Sequence, residues 1–119
     1  MSHIKLTVPS DYLPALEDLK NRINQTRYNS LKAINTELIN LYWDIGKLVS
    51  EKSADGWGSG VVNKLSFDLQ LEFVGVAGFS RSNIFRMKQF YEIYNSNEKL
   101  AQVVRQLAWG QNIELLSNN

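Results

Sequence analysis

Val74-Gly75-Val76-Ala77-Gly78-Phe79-Ser80-Arg81-Ser82-Asn83-Ile84-Phe85-Arg86-Met87-Lys88-Gln89 runs from a helix-breaking link into a capped helix. Two glycines among small residues interrupt a helical pattern, because glycine loses the most backbone freedom on ordering. Ser80 then offers a hydroxyl to the free amides of the next turn, which predicts a helix from Arg81 to about Tyr94. At about 100° per residue, Ile84, Met87, Phe90, Tyr91 and Tyr94 share one arc, and Arg81, Ser82, Phe85, Arg86, Lys88 and Gln89 occupy the rest. Upstream, Val61, Leu65, Leu69 and Phe73 hold one face of a preceding helix, with Lys64, Asp68 and Glu72 displaced from it. Helix, glycine-containing link, helix reads as a helix-turn-helix-like unit whose second helix offers its N-terminal half to a DNA major groove.

Further out the helical period persists. Leu16, Leu19, Ile23, Ile34, Leu38, Leu41, Ile45 and Leu48 keep a three-to-four spacing, interrupted where Arg27 and Ser30 take the stripe. This predicts a long N-terminal helix starting near Ser10 or Asp11, with Pro14 in its first turn, either unbroken or broken near Asn29. The glycines of Gly56-Trp57-Gly58-Ser59-Gly60 end it. Met1 to Pro9 has no period and reads as a flexible arm. After Asn95-Ser96-Asn97 a fourth helix is expected from Glu98 to about Ala108, with Trp109-Gly110 turning the chain into a short last segment. The expected fold class is all-α: one multi-helix domain over residues 1–119.

Composition narrows the chemistry. At 119 residues, 44% hydrophobic and 21% charged, the chain is long enough for a core and ordinary for a globular domain. It has no cysteine, which excludes disulfides and thiolate metal sites, and His3 is its only histidine, so no Ser-His pair or histidine metal cluster is expected. No apolar run reaches the roughly 20 residues of a membrane span, and with no signal-like N-terminus a cytoplasmic location is expected. No cofactor and no catalytic role are predicted. A formal net charge of +1 leaves any basic surface to local clustering, and the first 55 residues hold seven acidic and seven basic side chains.

Arginine pairs bidentately with guanine and glutamine with adenine, while serine hydroxyls and a helix N-terminus hold phosphate. Arg81, Ser82, Asn83, Arg86, Lys88 and Gln89 are therefore the candidate DNA contacts, with Lys64 supporting on phosphate. The plainer account is that Arg81, Arg86 and Lys88 are the solvated side of an amphipathic helix, and that Asn83 caps or braces the turn. Phe85 beside two arginines points to a partner or to packing under the terminal helix. Trp43, Trp57 and Trp109 fit core anchors better than base-stacking platforms. Asp68 and Glu72, one turn apart, resemble a divalent-cation pair, but Lys64 one turn earlier makes a charge ladder the simpler reading. The glycine-rich segment before Val61 lacks the lysine and spacing of a phosphate loop.

Several stretches together carry a resemblance: Asn35-Thr36-Glu37-Leu38-Ile39-Asn40-Leu41-Tyr42-Trp43-Asp44-Ile45-Gly46, Gly56-Trp57-Gly58-Ser59-Gly60-Val61-Val62, Leu65-Ser66-Phe67-Asp68-Leu69, Gly78-Phe79-Ser80-Arg81-Ser82-Asn83-Ile84, Met87-Lys88-Gln89-Phe90-Tyr91 and Leu107-Ala108-Trp109-Gly110. In this order they resemble the N-terminal domain of the bacterial YhcG-type family, from about Thr26 onward. The resemblance implies a mostly helical domain that binds DNA ahead of a PDDEXK-type nuclease domain. Such a nuclease needs a carboxylate, then an acidic residue and a lysine close together on a strand, to hold Mg²⁺ and activate water. No such pattern occurs here, and the ending just after Leu115-Leu116 suits a domain separated from its catalytic half. Val74 stands where the family often has proline, and Gln111 where it has histidine, so no role of that histidine carries over.

Two functions are expected to compete. One is a DNA-binding module that brings an attached nuclease domain to DNA. The other is an interaction module whose N-terminal helix pairs through Leu16 to Leu48 with a second copy, as a homodimer, or with another subunit. A continuous positive surface around Arg81, Arg86 and Lys88, free of acidic lining, would favour the first.

Overall fold

A computed structural model describes residues 9–117, so the expectations for the arm before Pro9 and for His3 lie outside the described residues. Five helices follow one another: α1 Tyr12–Ala54, α2 Ser59–Glu72, α3 Arg81–Tyr94, α4 Glu98–Val104 and α5 Trp109–Ser117. The described residues contain no strand, so the all-α class holds, as does the long N-terminal helix. Helix α1 is unbroken at Asn29; Gln25 Nε2 donates to Asn29 Oδ1 at 3.1 Å and Ser30 Oγ to the Thr26 carbonyl at 3.0 Å.

The chain divides into two compact units, one up to Ala33 and one from Ile34 onward. The division falls inside α1, away from the glycine segment near Gly58. In the first unit no described residue is buried, and Leu13, Leu19, Ile23, Tyr28 and Leu31 are exposed.

The second unit holds the core. Ile39, Tyr42, Gly46 and Val49 of α1 are buried, and α3 contributes Asn83, Ile84, Met87, Phe90 and Tyr94. Burying an aliphatic or aromatic side chain of this size stabilises by about 1.5–3 kcal/mol, so this seam is the main apolar contribution. Gly46 sets how closely α1 and α3 approach: a Cβ there would run into the carbonyl of Met87.

The link between α2 and α3 is longer than the three- to four-residue turn of a helix-turn-helix, occupying residues 73–80. Gly75 and Gly78 take positive φ, 83° and 109°, the left-handed region that favours glycine. The link is held from both sides. Ser66 Oγ and Gln70 Nε2 of α2 donate to the Phe79 carbonyl at 2.7 and 2.9 Å. Ser80 Oγ accepts from the Asn83 amide at 3.2 Å, the expected N-cap of α3.

Helix α4 ends at Val104 rather than near Ala108, because Asn112 intercepts the chain. Its buried Nδ2 donates to the carbonyls of Val104, Leu107 and Ala108 at 2.9, 3.4 and 3.4 Å. The last segment is itself a helix. Gln111 Oε1 accepts from the Ala108 amide at 3.2 Å, the reach-back half of a capping box.

Candidate functional site

The residues that carry the resemblance converge on one internal lock. Asn83 Nδ2 donates to the Gly78 carbonyl at 2.7 Å, and Trp109 Nε1 donates to Asn83 Oδ1 at 2.8 Å. Trp109 meets Tyr42 and Phe90 edge-on, with ring centroids 5.0 and 5.3 Å away. Tyr42 in turn fills the space beside Gly78, where a Cβ would strike its hydroxyl, and burial pushes the Tyr42 phenol above its usual pKa. Trp43 packs edge-on against Phe90 and Tyr91, with the Arg105 guanidinium 5.0 Å from its ring. Trp43 and Trp109 are therefore core anchors. Asn83 is buried with both ends of its amide engaged, which assigns it to bracing the link instead of to the outer surface.

The remaining candidates lie on the outer side of α3 or on α2. Arg81, Ser82, Arg86 and Gln89 are exposed. The Arg81 guanidinium lies 5.4 Å over the half-buried Phe85 ring, which holds the arginine at the start of the helix. Helix α3 carries no carboxylate before Glu92. Lys88 ion-pairs with that residue at 3.6 Å, and Glu92 also accepts from Ser50 Oγ at 2.8 Å. Lys64 pairs with Asp68 at 3.0 Å, as the charge-ladder reading expected. Two of the four candidate cations thus have acidic neighbours, so the positive surface is confined to the first two turns of α3. Exposed pairs one turn apart hold by only about 0.3–0.5 kcal/mol, weak enough for phosphate to compete.

A second feature was not foreseen. Leu41, Ile45 and Leu48 of α1, Leu65 and Leu69 of α2, and Phe73, Val76 and Phe79 of the link surround an open groove of about 460 Å³ with no polar lining. Leu41, Leu48, Phe73 and Val76 are between 44% and 53% exposed, a contiguous apolar surface of the kind that marks a docking site. Its α1 wall was legible as a stripe. Its other wall depends on the path of the link, which no periodicity reports. Gly46 was likewise visible as an isolated glycine inside a helical pattern, but its neighbour Met87 was not.

Among the described residues no three His, Cys, Asp or Glu side chains group as metal ligands, and no helix is long and apolar enough to cross a membrane.

Fold and site together define an all-helical domain with an exposed cationic helix start and an open apolar groove. The chain belongs to the DUF1016 N-terminal domain family, whose model matches residues 18–119. That match agrees with the YhcG-type resemblance and begins slightly upstream of it. No curated protein and no solved structure matched the chain.

Proposed function

We propose that this domain binds DNA through the outer face of α3 and thereby brings an attached nuclease domain to its substrate. The observation that carries the reading is the first two turns of α3: a serine-capped N-terminus, with Arg81, Ser82, Arg86 and Gln89 exposed and no carboxylate on the helix before Glu92. Helix N-termini attract phosphate, arginine pairs with phosphate as well as with guanine, and glutamine reads adenine. Lys64 and Lys88 act as outlying phosphate contacts that exchange Asp68 and Glu92 for DNA. Asn83 supports the surface from inside, by fixing the link that sets where α3 begins.

The test is binding to labelled duplex DNA across a salt series, with wild type beside Arg81→Ala/Arg86→Ala. Loss of two phosphate contacts flattens the log–log salt slope by about two units, while far-UV circular dichroism keeps its helical signal. No binding at low salt, or an unchanged slope in the variant, overturns the reading.

A second reading, an interaction module, is favoured by one specific observation: α1 carries apolar residues from Leu13 to Leu48 that are exposed.

A further inference from the structure

We infer that the apolar groove is the dock for residues 12–33 of a second copy, entering antiparallel to the groove's α1 wall, so that two chains clasp each other reciprocally. The inference rests on the interaction reading above and supplies its partner and its site.

The groove takes an apolar occupant. It has no polar lining, whereas a small-molecule pocket usually places a few polar groups to orient its ligand. A helix laid into a groove is read as apolar anchors at steps of three and four. Residues 12–33 form such a helix, with Leu19 and Ile23 50% and 56% exposed. Most of a helix's stability in a protein comes from packing its apolar face, so the segment gains from a cover.

Spacing and charge set the direction. The segment presents Leu16, Leu19 and Ile23 in steps of three and four; the α1 wall read backwards, Leu48, Ile45, Leu41, has the same steps. Antiparallel entry therefore sets each anchor opposite a groove residue. Residues 12–33 carry Lys20, Arg22, Arg27 and Lys32 against Glu17 and Asp18, an excess of cations, whereas 34–54 carry Glu37, Asp44 and Glu51 against Lys47 and Lys52. Antiparallel docking lays the cationic stretch along the acidic one, and with the anchors paired in this way it brings Lys20 to the height of Asp44 and Arg27 to that of Glu37. Parallel docking on the same anchors sets Glu17 and Asp18 beside Asp44 instead.

Area favours a second copy over a lone helix. Laid along the groove and the α1 surface that continues from it, about 22 residues of helix cover ~33 Å by ~10 Å, or roughly 330 Å² on each side of one dock. One dock then buries roughly 660 Å², short of the ~1,000 Å² of a stable complex, while two reciprocal docks bury roughly 1,300 Å², within the standard range. Only a second copy supplies both under two-fold symmetry.

The experiment is light scattering after gel filtration on the full 119-residue chain and two variants. Leu19→Glu/Ile23→Glu blocks the segment, and Leu48→Glu/Val76→Glu blocks the groove at its exposed rim, with circular dichroism confirming helicity. The expected result is twice the chain mass for wild type, the single mass for each variant alone, and, because one dock remains, a partial, concentration-dependent rise toward the double mass when the two are mixed. Mixing restores one intact segment and one intact groove, which no other pairing of faces achieves. A wild-type dimer that survives the segment variant overturns this dock and leaves the interaction reading to another face. A monomeric wild type overturns self-association altogether. If the groove variant loses helicity, the segment variant, which touches no buried residue, decides alone.

Discussion

Residues 12–33 and 34–54 share helix α1 and the same three-to-four spacing of apolar side chains, yet they live under different conditions. The later stretch has two apolar faces: Ile39, Tyr42, Gly46 and Val49 are buried, while Leu38, Leu41 and Leu48 stay exposed. The earlier stretch has exposed apolar residues and none that is buried. Periodicity reports that a helix has an apolar face, because that depends only on angle per residue. It does not report whether the face is covered, because covering requires a second element. The same spacing therefore marks core in one stretch and available surface in the other.

The sharpest way to break this comparison is to truncate one apolar residue in each stretch. Ile39→Ala removes a fully buried side chain and is expected to cost about 2–5 kcal/mol, measured by urea unfolding. Leu31→Ala, 67% exposed in wild type, is expected to stay within about 0.5 kcal/mol. Equal losses would show that the earlier stretch is as deeply packed as the later one.

A smaller effect tests the buried face itself. Gly46→Ala drives a methyl group into the Met87 carbonyl and is expected to destabilise by about 1–3 kcal/mol, the usual cost of overpacking. Gly60→Ala in α2 meets open space and is expected to be neutral or to stabilise by up to about 1 kcal/mol, since alanine favours helix. Thermal unfolding of the two variants side by side checks the contrast; a harmless Gly46→Ala would mean that α1 and α3 are not held at this distance.

The smallest effect is alkaline. Burial raises the Tyr42 phenol above its unfolded value of 10.0, so the folded state keeps its proton where the unfolded state has lost it. That contribution is fully present below pH 10.0 and is lost as pH rises from there through the folded value. Tyr42→Phe is expected to flatten this part of the stability curve, and an unchanged alkaline slope would place the phenol in water.

The basic helix shows a different limit. Ser80 as N-cap and the arc of Ile84, Met87, Phe90 and Tyr94 were legible, because capping and amphipathic spacing are local. Arg81 and Arg86 are exposed as their positions on the helix implied. Asn83 was not assignable by the same logic. Its neighbours in sequence place it beside the candidate contacts, but its amide is taken by Gly78 and by Trp109, which lies 26 residues away. Asn112 is similar: an asparagine near a helix start reads as a cap, whereas its buried amide holds the end of α4.

The all-α class, the order of the first four helices, the glycine breaks and the absence of cysteine chemistry follow from sequence alone, because each rests on a residue's own conformational preference or on neighbours within one turn, whereas the continuity of α1, the end of α4 and the helical state of the last segment did not. The choice between core and open surface for each apolar stripe, the close approach at Gly46, the lock of Tyr42, Gly78, Asn83 and Trp109, and the groove were decided by tertiary structure. They arise from contacts between helices far apart along the chain, where burial and hydrogen bonding depend on which partner arrives and no local pattern encodes it.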